Sequence, residues 1–213
     1  MIKYQYTLKR SSRRSVSVSI KDDNSLIVHA PLRMPLSEIE KFLLSKSNWI
    51  ECHLQRNNAE ISALSDVVSY NKILVCGVPV KLTLGKFNII STDEVQIKSY
   101  KNLRKLYVEN LGGRFLQLFE VICRENNFTC GAVSFKDYKA KWGCCDRFKN
   151  IAFNYKLLML PENLWRYVAV HELCHTVYMD HSKRFYALVG RILPNFKTDR
   201  KQLKNYSRIT RLY

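Results

Sequence analysis

The segment HELCH at residues 171–175, followed by His181, constrains this chain more than any other feature. It places three of the five histidines within eleven residues. If residues 171–175 are helical, His171 and His175 lie one turn apart on the same face, where two imidazole nitrogens can bind one metal ion. Glu172 lies about 100° further round the helix and can reach a water beside that ion. The spacing therefore predicts two metal ligands and a general base on one helix.

The flanking sequence favours a helix that buries one side and turns its histidines towards a cleft. Pro161 and Glu162 suit a helix start, because proline is tolerated in the first turn and an early acid complements the helix dipole. Apolar residues then recur at roughly helical intervals: Leu164, Val168, Leu173 and Val177. The alternative is a buried helix whose histidines only form hydrogen bonds.

His181 is the candidate for a third ligand, since catalytic zinc usually takes three protein ligands and leaves the fourth position to water. This role requires the helix to end near Met179 and the chain to turn. Asp180 and Ser182 supply turn and N-cap chemistry. A second helix is predicted next, from its apolar spacing up to Pro194. We expect one Zn²⁺ per chain, although manganese, nickel or cobalt could occupy the same ligands.

A longer pattern surrounds this motif. It comprises KWGCC at 141–145, IAFNYKL at 151–157, YVAVHELCH at 167–175 and HSKRFY at 181–186. Together these segments resemble the YgjP-like metallopeptidase family, with a looser similarity in the N-terminal half. The resemblance implies a metal-dependent hydrolase with a gluzincin-like core, distantly similar to SprT-type proteases. It also implies metal ligands at His171, His175 and His181 and a catalytic glutamate at Glu172. Cys144 departs from the family, which typically has serine there.

The predicted fold class is α+β, with a zincin-like core and a β-rich N-terminal part. The core would contain the HExxH helix, a second ligand-bearing helix and a small antiparallel sheet. We expect residues 1–99 to form the β-rich part, including a helix over 37–56 or two helices joined near Ser45. Residues 100–213 would form the catalytic domain.

Alternation and turn residues predict the individual elements. Hairpins are expected over residues 15–30 and 73–84, and further strands over 87–99. A helix is expected over about 103–126, with a weak point at Gly112-Gly113. A further hairpin is expected to include residues 151–157.

Residues near the motif are candidates for contacts with a substrate. Part of 133–143 is expected to form an edge strand above the metal, where an extended substrate can pair with it; the alternative is an ordinary strand with Trp142 in the core. A developing oxyanion needs a donor besides the metal. Lys141, Tyr178 and Tyr186 are the candidates.

The net charge of +17 is concentrated towards the two ends of the chain. Residues 1–14 contain five basic residues and no acid, and residues 183–213 contain nine basic residues against one acid. Such segments attract polyanions, above all nucleic acid, through salt-dependent phosphate contacts. The alternative is a solvated basic surface, since the sequence has no zinc-finger spacing and no RRM core.

Three functions remain open from the sequence. The first is a zinc peptidase that acts on a polypeptide. The second is a nucleoside triphosphate pyrophosphohydrolase that uses the same site on a phosphate-containing substrate. The third is a nucleic-acid-binding protein with a structural or inactive metal site. No apolar run approaches the roughly 18 residues that span a bilayer, and the first residues lack the apolar core of a signal peptide. We therefore expect a cytoplasmic protein with no membrane partner and with free thiols.

Overall fold

The structure is a computed structural model that describes residues 4–21, 24–65 and 71–212, without the side chains of residues 56 and 59–65. Its mixture of helices and small sheets confirms the α+β class. The chain divides into two compact units, Met1–Ala63 and Leu64–Tyr213. The boundary therefore differs from the one expected near residue 99. The reason is that strands between residues 72 and 97 bury their apolar side in the same core as the histidine helix.

The first unit is a three-stranded sheet with two helices. Its strands are β1 (Tyr6–Ser11), β2 (Ser17–Ile20) and β3 (Leu26–Pro31), in the order β1-β3-β2. The pair β2–β3 is the predicted antiparallel hairpin, whereas β1 is an additional parallel strand. Helices α1 (Leu36–Ser45) and α2 (Ser47–Ser65) are separate. Alternate residues of β3 and one side of each helix form the core: Leu26, Val28, Ala30, Ile39, Leu43 and Ile50.

The second unit begins with a four-stranded sheet. The strands β4 (Lys72–Val75), β5 (Val78–Leu84), β6 (Ile89–Ile90) and β7 (Glu94–Ile97) have the order β4-β5-β7-β6. They confirm the predicted hairpin and the further strands.

The β4–β5 turn is anchored beside the start of the histidine helix. Its two residues, Cys76 and Gly77, have positive φ angles of 51° and 87°, as in the tight turns that suit hairpins. The Gly77 N–H donates to the carbonyl of Met159 at 2.8 Å. A Cβ on Gly77 would lie 2.6 Å from Cγ of Pro161, so both backbone angle and space require glycine here.

A long helical segment follows, with an irregular turn where the sequence predicted a weak point. It consists of α3 (Leu103–Tyr107), a π-type turn over Val108–Gly112 and α4 (Gly113–Glu125). The two glycines therefore widen the helix without ending it. Helix α4 buries Phe115, Phe119 and Ile122 in the core of this unit.

The sheet beside the histidine motif contains β8 (Val133–Lys136), β9 (Gly143–Cys145) and β10 (Ile151–Asn154), in the order β8-β10-β9. Strand β10 is buried along its whole length. It pairs antiparallel with β9, as a hairpin, and parallel with β8. The sheet is therefore mixed and not purely antiparallel. Both β8 and β9 are edge strands.

Three helices complete the second unit. They are α5 (Glu162–His175), α6 (Lys183–Ile192) and α7 (Phe196–Asn205). Helix α5 ends at His175, four residues before the expected Met179. The Ser182 side chain caps α6 by accepting from the N–H of Phe185, as the sequence predicted for this turn. No helix in the described ranges is both long enough and apolar enough to cross a bilayer.

Candidate metal centre

Helix α5 and the loop after it bring the three predicted histidines together. His171 and His175 lie one turn apart on α5, with ring centroids 4.9 Å apart. His181 lies in the loop two residues before α6, and not on a second helix as expected. Its Nε2 is 3.1 Å from Nε2 of His171. One nitrogen from each of the three rings lies within 4.8 Å of the others.

This cluster fits a divalent ion by its spacing and by its chemistry. A tetrahedral zinc ion with Zn–N bonds of about 2.0–2.1 Å holds its ligand nitrogens about 3.3 Å apart, close to the 3.1 Å between His171 and His181. His175 Nδ1 is 3.0 Å from the carbonyl of Tyr178. That contact fixes the ring and leaves Nε2 as the nitrogen available to an ion, in the way that outer hydrogen bonds orient metal-binding histidines.

A phenylalanine supports all three rings. Phe185, on the first turn of α6, is fully buried. Its ring centroid is 4.5 Å from that of His175, 4.9 Å from that of His171 and 5.0 Å from that of His181. Such packing limits the rotamers open to the histidines, so the cluster is held in place by the core as well as by the backbone.

Burial keeps two of the imidazoles neutral. It lowers the pKa of His171 to about 3, helped by the positive charge that His175, His181 and Arg200 would place beside it. Burial also lowers the pKa of His175, partly offset by its contact with the Tyr178 carbonyl. At neutral pH these rings are therefore in the unprotonated form that binds metals.

Glu172 lies beside the cluster and is itself buried, with 5% of its surface exposed. Burial raises the pKa of Glu172 to about 8, and the positive charge of Lys141 opposes this shift. Strand β9 approaches the carboxyl closely: a Cβ on Gly143 would lie 2.8 Å from both Cγ and Oε1 of Glu172. Because Gly143 has no Cβ, it leaves room for the carboxyl of Glu172.

A cavity of about 320 Å³ opens beside His171 and Glu172. It lies between the second half of α5, the strand β9 with the loop before it, and α7 with the segment that follows. Trp142 and Val168 contribute apolar walls, and Lys141 and Arg200 are among its cationic residues. The cavity gives a substrate access to the buried carboxyl.

The sequence of the chain matches that of a known domain. Residues 14–206 match the YgjP-like metallopeptidase domain. The chain belongs to the YgjP-like metallopeptidase family. The match confirms the resemblance drawn from the motifs around residues 141–186. It also extends through most of the first unit.

Two crystal structures of metallopeptidase zymogens are similar to part of this YgjP-like chain. Abylysin of Pyrococcus abyssi is 20% identical over 42% of this chain and 90% of its own, with a TM-score of 0.39. Jannalysin of Methanocaldococcus jannaschii is 20% identical over 42% of this chain and 91% of its own, with a TM-score of 0.37. No curated protein sequence matches the chain significantly.

The loop before β9 carries groups that line the site of this YgjP-like domain. The amide of the buried Asn154 donates to the carbonyls of Tyr138 and Lys141, at 2.7 and 3.0 Å. These bonds fix the loop to strand β10. The Lys141 ammonium lies 4.4 Å from the centre of the Tyr138 ring.

Cys144, on strand β9, contacts this loop. Its Sγ is 3.2 Å from the hydroxyl of Tyr138. Burial raises the pKa of Tyr138 to about 12, and the contact with Cys144 and the nearby charge of Glu172 act in the same direction. Tyr138 therefore keeps its proton at neutral pH and can act as a hydrogen-bond donor.

The four candidates for substrate contacts have different positions. Lys141 and Trp142 line the cavity, and Trp142 is only partly buried. Tyr178 contacts the cluster through its backbone carbonyl, which lies 3.0 Å from Nδ1 of His175. Tyr186 stacks on His181, with ring centroids 6.0 Å apart, so it contacts the cluster from the side of that histidine.

Sequence reasoning missed three residues that the fold brings to this site. Tyr138 and Asn154 lie in or beside β8–β10, far from the histidine motif in sequence. Arg200 lies on α7, within the basic C-terminal segment, where it looked like one of many surface cations. Asn154 belongs to the IAFNYKL segment quoted above, but no local pattern marks the contacts of these three residues, because those contacts depend on how α7 and the mixed sheet pack against α5.

Proposed function

We propose that this chain is a zinc-dependent metallopeptidase whose ion is bound by His171, His175 and His181. The observation that carries the proposal is the convergence of the three imidazoles within 4.8 Å, next to the buried carboxyl of Glu172. Membership of a metallopeptidase family supports a metal-dependent hydrolase in general. Zinc is proposed because three neutral nitrogen ligands suit it and leave a position free for water.

Glu172 is proposed as the proton carrier. A divalent ion supplies Lewis acidity and lowers the pKa of a water bound to it to about 7. The raised pKa of Glu172 places its own proton exchange near neutral pH, where general acid–base catalysis is most effective. Glu172 accepts the proton of the attacking water and returns it to the amine nitrogen that leaves the peptide bond.

Two further groups are proposed to act on the substrate. Strand β9 is an edge strand, so its unpaired backbone groups can bind an extended polypeptide beside Glu172. Tyr138 and Lys141 stand on the loop before β9 and can donate to the oxyanion that develops at the carbonyl. Both donors depend on Asn154, which holds this loop in place.

Metal analysis of purified variants tests the ligand set. We expect about one zinc per chain in the wild type, and the loss of stoichiometric metal in His171→Ala, His175→Ala and His181→Ala. His53→Ala is the matched control, because His53 belongs to the first unit and contacts Trp49. Full zinc content in the three variants, with the fold intact, would contradict the proposal.

Peptide cleavage by Glu172→Gln tests the proton carrier. We expect at least a hundredfold loss of kcat with zinc content unchanged, since general acid–base groups typically contribute that much. Glu120→Gln, an exposed residue on α4, is the matched control. Unchanged turnover in Glu172→Gln, with cleavage by the wild type blocked by a chelator, would exclude Glu172 from the reaction.

A phosphate-containing substrate is the second candidate, and the cationic residues around the cavity favour it. Hydrolysis of nucleoside triphosphates at the same site would use the same ligands and the same carboxyl. The test is a panel of nucleoside triphosphates and unfolded polypeptides, each incubated with and without chelator. Chelator-sensitive hydrolysis of triphosphates alone would replace the peptidase proposal.

Nucleic acid is proposed as a further partner, at the exposed basic residues of the C-terminal segment. Lys183, Arg184 and Lys197 are all exposed. Binding to these groups should weaken steeply with salt and should survive Glu172→Gln. A gel-shift titration at two salt concentrations measures both effects, and binding that is absent at low salt excludes this partner. We place these activities in the cytoplasm, as the sequence predicted.

A further inference from the structure

Three cations line the cavity beside Glu172. Arg200 and Lys204 stand one turn apart on the same face of α7, and Lys141 faces them from the loop before β9. Among the described residues that line the cavity, Glu172 is the single acid. The field in the cavity therefore favours a negatively charged group from outside.

Lys141 lies close enough to Glu172 to act on the pKa of its carboxyl, but none of the three cations forms a salt bridge with an acid among the described residues. Arg200 is instead positioned by an aromatic ring, with its Cζ 5.1 Å from the centre of Tyr186. Its guanidinium is thus held in place while its hydrogen-bond donors stay available. A planar guanidinium can bind a carboxylate through two parallel hydrogen bonds.

Much of the remaining lining of the cavity is apolar. Trp142, Val168 and Leu203 contribute to it, beside the polar groups of Tyr167, His171 and Ser207. A volume of about 320 Å³ is at the low end for small-molecule sites and suits one amino-acid side chain. A side chain with an apolar stem and an anionic end matches both parts. Gly143 of the edge strand β9 borders the same cavity, so a peptide paired with β9 would direct alternate side chains towards it.

We propose that this cavity selects an aspartate or glutamate side chain next to the scissile bond, with Arg200 as the specificity-determining residue. Lys204 and Lys141 add to the attraction. This inference rests on the proposed peptidase function and names its substrate class. A carboxylate is favoured over a polyphosphate because the lining comes from mid-helix residues and a loop, without the backbone N–H groups of a helix N-terminus that usually cradle phosphates.

The first test measures cleavage by the zinc-loaded protein. The substrates are decapeptides of alanine and serine with one central leucine, in which each flanking position carries glutamate, glutamine or lysine in turn. We expect one position where glutamate raises kcat/KM at least tenfold over glutamine. Arg200→Glu should abolish that preference or shift it to lysine, and Arg200→Gln should weaken it.

Lys201→Glu is the matched control. It makes the same charge change on the next residue of α7, which is exposed and does not line the cavity. We expect it to keep the wild-type preference. Equal rates for the glutamate and glutamine peptides at every position, or an equal effect of Lys201→Glu and Arg200→Glu, would overturn the inference and leave the peptidase proposal standing.

The second test measures binding without turnover. Glu172→Gln is titrated with the glutamate and glutamine decapeptides, followed by isothermal calorimetry, and then with ATP as a competitor. We expect the glutamate peptide to bind more tightly than the glutamine peptide, and this difference to disappear when Arg200→Glu is added. That result supports the inference even if the wild type cleaves no peptide. Only the proposed peptidase function would then fail. Binding of ATP with no discrimination between the peptides would overturn it in favour of a phosphate site.

Discussion

Replacing Glu172 with glutamine in the metal-free protein isolates the free-energy cost of burying an ionised carboxylate. Glu172 is 5% exposed, and burial raises its pKa from 4.5 to about 8. Each tenfold change in proton affinity corresponds to about 1.4 kcal/mol, so ionising this carboxyl costs roughly 5 kcal/mol more in the folded state than in the unfolded chain. The amide of glutamine does not ionise and does not incur this cost.

The sign of the pH dependence follows from which state holds the proton. Below pH 4.5 the carboxyl of Glu172 is protonated in both states and adds no pH dependence. Between pH 4.5 and 8 the folded state keeps a proton that the unfolded chain has lost, so the free energy of unfolding falls as pH rises. Above pH 8 the carboxyl is ionised in both states, so the free energy of unfolding falls no further on its account. His171 adds the opposite slope between pH 3 and 6.5, but it does so in both variants and cancels in their difference.

Urea unfolding at pH 5, 6.5 and 8, with a chelator present, measures this difference. The stability of the wild type relative to Glu172→Gln should fall by roughly 4 kcal/mol between pH 5 and 8. Glu120→Gln, on the exposed side of α4, should follow the wild type throughout. A constant difference between wild type and Glu172→Gln across these pH values would refute the reasoning, because it would mean that the buried carboxyl titrates normally.

Three other changes probe the same site. Gly143→Ala places a Cβ 2.8 Å from Oε1 of Glu172, so under the proposed function kcat should fall about 10- to 100-fold with the metal content unchanged; Gly113→Ala, with nothing within 4 Å, is the control, and equal rates for the two would contradict the steric argument. Asn154→Ala removes the buried amide that donates to the carbonyls of Tyr138 and Lys141 and should cost about 1–3 kcal/mol in urea unfolding; a loss below about 0.5 kcal/mol would argue against that role. Because the pKa of His171 is lowered to about 3, the metal-free wild type should lose stability relative to His171→Phe as pH falls from 6.5 towards 3, as measured by thermal melts; parallel profiles would count against a buried neutral imidazole.

Local pattern was sufficient for most elements of the fold. The alternation at residues 17–20 and 26–31 and the two-residue turn at Cys76-Gly77 encode hairpins, because side-chain period and turn geometry are properties of a few neighbouring residues. The same holds for α5 and α6. The expected boundary near residue 99 differs from the division into compact units because residues 72–97 look like a continuation of the β-rich part. Only their shared core assigns them to the second unit.

The strand pairing also required tertiary structure. Strand β1 pairs in parallel with β3, and β8 pairs in parallel with β10. Parallel strands are not joined by a hairpin turn, so no short turn sequence predicts these pairs. Helix α5 ends at His175 and not near Met179 as predicted. The chain leaves the helix before Tyr178, whose carbonyl turns back to contact Nδ1 of His175.

The sequence by itself determined the chemistry of this protein: two histidines one helical turn apart, a glutamate beside them and a third histidine after a short turn. These follow from the 3.6-residue period and from residue type, which need no knowledge of distant segments. Only the tertiary structure decided the surroundings, including the burial that shifts the pKa of Glu172 and the placement of Gly143 against its carboxyl. The position of Arg200 at the cavity was likewise decided by the tertiary structure. Burial and contact between residues distant in sequence are properties of packing, and no local period encodes them.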